Sequence, residues 1–147
     1  MTSLADFGRV ALADRGLCVI ITSRRDSTAH ASVVSAGIVG HPLTGQPVVG
    51  LVAIGNAHKL ANLQRTPRAT LVAKAGFEWV AVEGPTVIIG PDDSHPSVGP
   101  DELRLLLRTV FTAAGGTHDD WDEYDRVMLS ERRAGVFVEP ERVYSNR

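Results

Sequence analysis

The chain has 147 residues, the size of one domain around one core. Its hydrophobic share of 44% and charged share of 22% are those of a globular protein, where a disordered chain would need less apolar content and more net charge. A formal charge of −2 argues against nucleic acid as a default partner, since phosphate binding wants a basic surface, and no apolar run approaches the roughly 18 residues of a membrane-spanning helix.

At the N-terminus no basic stretch precedes an apolar one, so no secretory signal is visible and a cytoplasmic location is expected. Leu4 to Asp14 place Leu4, Phe7, Val10 and Ala11 at helical spacing, with Thr2 or Ser3 to cap the start and Gly16 to end the helix. Leu17 to Thr22 is a continuous β-branched run, a buried strand. It contains Cys18, the only cysteine, which reads as a small buried apolar side chain. With one cysteine, neither an internal disulfide nor a cysteine zinc cluster can form. Residues 23–27 form a polar turn, and Thr28 to Val39 a long second strand. Ser32, Ser35 and Gly37 interrupt its apolar positions, as expected where a backbone or a ligand approaches closely.

His41 to Pro47 is a loop, and Val48 to Ile54 a third strand. The period then changes. Residues 56–65 set Leu60, Ala61 and Leu63 on one helical side, with Asn56 as N-cap and Thr66-Pro67 as the stop. Arg68 to Lys74 is a fourth strand. Trp79 to Val82 and Thr86 to Ile89 make a fifth, broken at Gly84-Pro85. A Pro-, Asp- and Ser-rich loop covers 91–100. Asp101 to Ala114 is a helix closed by Gly115-Gly116, and Asp119 or Asp120 caps another that runs to about Arg132. Gly135 to Val138 is a last strand, with Arg142 to Tyr144 read as its extension. Short strands joined by tight turns predict a mainly β protein, an antiparallel barrel with peripheral helices.

The junction of the third strand with the following helix is the best place for chemistry. Helix starts expose unpaired N–H groups and the positive end of the dipole, so they bind anions. Lys59 sits in that first turn, where a cation is unfavourable by about 0.3–1 kcal/mol unless an anion joins it. Its neighbours admit two readings each. His58 shares a phosphate or is exposed, and Asn62 bonds a ligand or the nearby loop. Arg65 and Arg68 meet an anion or stay solvated. Trp79 stacks on a ring or packs in the core, while the spacing of Trp121 and Tyr124 favours packing. The five histidines show no ligand spacing, so no metal is expected, and there is no nucleophile elbow, P-loop or dinucleotide fingerprint.

The stretch Asn56 to Ala69, with Lys59-x-x-Asn62-Leu63 and Pro67-x-Ala69, resembles a signature of the pyridoxamine-phosphate-oxidase-like split barrels. Val80-Ala81-Val82-Glu83-Gly84 resembles the next strand of those families. Trp121-Asp122-Glu123-Tyr124, Glu131-Arg132-Arg133 and Val143-Tyr144 look like the mycobacterial-type branch of enzymes that use the deazaflavin coenzyme F-420. The resemblance runs through nearly the whole chain in order. It implies an FMN-binding-type split β-barrel and a homodimer with a cofactor at each end of the interface. It also implies a cofactor phosphate on Lys59 supported by Asn62, and a ring system beside His30, Ser32 and Val34. Many relatives carry a second basic residue where this chain has Ala57, and a Gly-x-Pro where it has Ser27-Thr28-Ala29.

Three readings follow. The first is an oxidoreductase passing hydride from reduced F-420 to a small unsaturated substrate. Lys59 would hold the phosphate, and Arg65, Arg68, Arg132 or Arg133 the acidic tail. The second is an FMN oxidase or electron carrier, and the third a non-catalytic cofactor-binding or storage protein.

Overall fold

The computed structural model describes all of residues 1–147. Helix α1 (Leu4–Ala13) starts at Ser3, whose side chain accepts from the Asp6 amide while the Asp6 carboxylate accepts from the Ser3 amide. It ends where Gly16, at φ +76°, turns its amide back to the Ala11 carbonyl. Strands β1 (Leu17–Ser23), β2 (Ala29–Gly40) and β3 (Pro47–Ala53) lead into α2 (His58–Arg65). Strands β4 (Arg68–Ala75) and β5 (Glu78–Ile89) precede α3 (Pro100–Ala113) and α4 (Trp121–Ser130), and β6 (Ala134–Val138) and β7 (Arg142–Ser145) close the chain. No helix is long and apolar enough to cross a membrane.

All strand pairs are antiparallel, in the order β4-β1-β2-β3-β6-β5, and β4 pairs with β5 to close a six-stranded barrel. The two long strands make the closure possible. The first part of β2 pairs with β1 (Leu17 opposite Ser35) and its end with β3 (Ile38 opposite Val49). Along one edge β5 pairs first with β7 (Val82 opposite Val143), then with β6 (Ile88 opposite Val136).

Gly84-Pro85 therefore does not break the fifth strand, contrary to the sequence expectation. It marks the seam where β5 changes partner. The Pro85 carbonyl accepts from the Glu139 amide, and a Cβ on Gly84 would lie 1.8 Å from the Glu139 carbonyl. At such a seam a residue without an N–H costs the ladder nothing. Arg142 to Tyr144 likewise does not extend β6. It forms its own strand on β5.

Strand alternation sorts the side chains. Cys18, Ile20, Leu51, Leu71, Val80, Val82 and Val136 face inward with Phe7 and Val10 of α1 and Leu60 and Leu63 of α2, forming one continuous core. Burial pushes the Cys18 thiol up to about 12, as suits an inert interior sulfur. On the outside, α3 lays Val110 over Val39, Val48 and Phe137. The close approach expected at Gly37 is a backbone one, since its absent Cβ would sit 2.2 Å from the Ala113 carbonyl of α3.

Candidate functional site

The connection from β3 to α2 places Lys59. Its N-cap is Ala57 rather than Asn56, one residue later than expected, so no side chain caps the helix. Gly55 explains the local path. Its amide bonds the Glu131 carbonyl, and a Cβ there would lie 2.6 Å from the Arg132 carbonyl. Only glycine lets the β3–α2 link press against the turn between α4 and β6, and that contact brings Arg133 to Lys59.

Both side chains line a cavity of about 400 Å3 on the outer side of β2 and β3. Val33 and Ser35 of β2 and Val52 of β3 form one wall, and Phe111 of α3 with Tyr124 and Met128 of α4 the other. Lys59 is partly buried and has no carboxylate within ion-pair distance. Burial lowers the pKa of its ammonium, and the positive charge of Arg133 lowers it further. Arg133 itself is held by Glu131 at 2.8 Å. The cavity thus joins apolar walls to a cation that nothing in the chain neutralises.

The far wall is rigid. The Tyr124 hydroxyl donates to the Leu107 carbonyl at 3.1 Å, and burial pushes its pKa up to about 12. It is a neutral structural donor. Phe111 packs on Tyr124 at 4.9 Å and edge-on to Trp121, so the two aromatics that periodicity assigned to packing do pack. Asp120 caps α4 by accepting from the Glu123 amide.

The other expected residues lie elsewhere. Of the ring-side trio on β2, Val34 reaches the cavity, but His30 and Ser32 do not. Ser32 and His30 lie two and four residues before Val34 on the same side of β2, beyond the reach of the cavity, whose outer wall is formed by Val33 and Ser35. His30 Nδ1 and Ser32 Oγ are buried without partners, and the His30 ring lies 6.2 Å from that of His58, forming a separate polar patch. Asn62 is buried and committed, donating to the Thr22 hydroxyl at 3.0 Å and accepting from Arg65 at 3.1 Å. Arg65 also donates to the Ser23 carbonyl, so it fastens α2 to β1 rather than facing the cavity. Trp79 sits edge-on to Tyr144 and away from the cavity. Arg68 is paired with Glu141, and Arg132 with Asp92.

No protein-family model matches the chain. Solved structures do. A conserved hypothetical protein of Mycobacterium tuberculosis superposes with a TM-score of 0.69 at 20% identity, covering 99% of this chain and 84% of that one. A pyridoxamine 5'-phosphate oxidase-related, FMN-binding protein of Nostoc punctiforme gives 0.66 at 12% identity, over 97% and 82%. The chain has the FMN-binding split-barrel fold. An F-420 reductase shares this split barrel at a TM-score of 0.61 and 13% identity, over 88% and 90%, and so do heme-binding proteins. At these identities the likeness is one of fold, and the cavity has to supply the chemistry.

The state of Lys59 gives a stability prediction. A lysine whose folded pKa is lowered binds its proton less readily in the native state. That penalty is fully present below the folded value and is relieved as pH rises through the window from it to the ordinary 10.5. Lys59→Met should therefore melt above the ligand-free wild type at pH 7, with the gap closing toward pH 10.5. A lower melting temperature for the variant at pH 7 would show that the lysine makes contacts worth more than its burial costs.

Proposed function

We propose that the Lys59 cavity binds the phosphate and ring of a flavin-type cofactor, and that the cofactor is F-420. The observation that carries this reading is the uncompensated Lys59 ammonium beside Arg133, at the edge of an apolar cavity of about 400 Å3. A phosphate is the group that two cations and an uncapped helix start stabilise together. The second charge that Ala57 does not supply comes from Arg133, on a distant part of the chain. Val33, Val52 and Phe111 give a planar ring an apolar bed and keep water from it.

When bound, F-420 supplies hydride as an electron pair, so the protein need only bind, orient and exclude water. That fits a cavity lined by no histidine and no carboxylate that could serve as a general base. The reading makes the protein an oxidoreductase acting on a small unsaturated substrate. FMN is the second reading. It is favoured by the pairing of Arg65, Arg68 and Arg132 with groups of their own chain, which leaves only Arg133 near the cavity to meet an acidic tail.

A homodimer belongs to the same proposal. Leu17, Val19 and Val33 stand on the outer side of β1 and β2 with exposures of 38, 36 and 66%, and a partner copy would cover them while extending the cavity walled by Val33. Light scattering at micromolar concentration should give twice the chain mass, and Val19→Asp should halve it. A monomeric wild type would remove the dimer from the account.

Cofactor choice is tested by titrating F-420 and FMN into ligand-free protein at low and high salt. An acidic tail that meets Arg133 beside the cavity is screened by salt, because the Debye length falls to about 3 Å at 1 M. F-420 should bind more tightly at low ionic strength, and the difference should narrow with salt. Tighter FMN binding at both would select the second reading.

A further inference from the structure

A second cleft lies on the far side of Met128 and Arg133, which line both it and the Lys59 cavity. It holds about 320 Å3 between α3 and α4 and is bounded by Pro91 of the loop before α3. Leu103 and Leu107 of α3 and Leu129 of α4 give it apolar walls. Leu129 is 70% exposed, so a large apolar side chain stands at the rim uncovered.

The charges of the cleft are unevenly committed. Asp125 accepts from Arg108 and lies 3.4 Å from Arg104, which also lies 4.0 Å from Asp101. Arg133 is held by Glu131. Arg126 lines the cleft with no carboxylate within ion-pair distance, and so is its one uncommitted cation. Small-molecule sites of roughly 300–1,000 Å3 combine mainly apolar walls with a few placed polar groups. A guanidinium is the donor best shaped for a carboxylate, because its planar fork can give two parallel hydrogen bonds.

We propose that this cleft is a second ligand site, for an amphipathic carboxylic acid of one or two rings. The apolar body lies against Leu103, Leu107 and Leu129, and the carboxylate meets Arg126. A bare phosphate gains nothing from the apolar walls, and a neutral ligand of the same shape leaves Arg126 in water. The shared Met128 and Arg133 give the two cavities a common wall, so a ligand that shifts it in one site alters affinity in the other by a reciprocal factor. The inference stands whether or not the Lys59 cavity holds a flavin.

The test uses 2-naphthoate and its neutral analogue 2-naphthalenemethanol, titrated calorimetrically into the full chain. One naphthoate should bind saturably per chain, more tightly than the alcohol. Arg126→Gln should weaken naphthoate about tenfold, the scale of a charge-assisted hydrogen bond, and leave the alcohol unchanged. Leu129→Glu, at an exposed position that the fold tolerates, should weaken naphthoate further. Lys59→Gln should leave naphthoate affinity within about twofold. The proposal is overturned if naphthoate shows no saturable binding or is indifferent to both cleft variants. It is equally overturned if Lys59→Gln abolishes binding, since the acid would then occupy the other cavity.

Discussion

Two long strands that change partner along their length shape this molecule. β2 leaves β1 for β3 after Ser35, and β5 leaves β7 for β6 at Gly84-Pro85. These exchanges let six strands close into one barrel, which lessens the hazard of unpaired N–H and C=O groups at a sheet edge. Close backbone contacts mark both. The Glu139 carbonyl fills the space beside Gly84, and the Ala113 carbonyl fills that beside Gly37. A side chain at Gly84 would push β5 from the β6–β7 link, and one at Gly37 would push α3 off the barrel.

Closure also fixes what the outside of the barrel can offer. With Ile20, Leu51 and Leu71 turned inward, the alternate residues of β2 and β3 become a floor on which α3 and α4 build the cavity. Into that floor's edge the Gly55 contact brings two cations, Lys59 and Arg133. Like charges kept close in a partly buried place cost stability, and a fold tolerates that most readily where a ligand relieves it. Several arginines elsewhere are paired, as Arg9 is with Glu78 and Arg68 with Glu141, and those without a carboxylate, such as Arg126, are exposed. An unpaired cation that is partly buried against apolar walls is what distinguishes the Lys59 cavity from ordinary surface.

Much of this was legible in the sequence because it rests on local rules. The run at Leu17 to Thr22, the Leu60 and Leu63 spacing and the change of period between them gave the barrel, its helices and Lys59. The misses were long-range. Gly84-Pro85 reads as a break unless one knows that β6 and β7 lie end to end along β5. Asn56 is a good cap by type, yet the chain enters α2 at Ala57 because Gly55 is pinned to the α4–β6 turn. Arg68 and Glu141 are 73 residues apart, and Arg132 and Asp92 are 40 apart, so no local pattern shows that these arginines are already satisfied. Strand alternation alone would have offered Val33 in place of Ser32. The choice between them depends on which side of β2 the helices cover.

Cofactor binding in this cavity depends on Lys59 being an anion anchor rather than a solvated side chain. The direct measurement is the dissociation constant of F-420 and of FMN for the wild type and for Lys59→Ala, taken at one low salt concentration. An anchoring ammonium predicts that whichever cofactor binds the wild type loses about 1.5–3 kcal/mol in the variant, roughly ten- to hundredfold in Kd. Cofactor binding of equal strength in both proteins would contradict it.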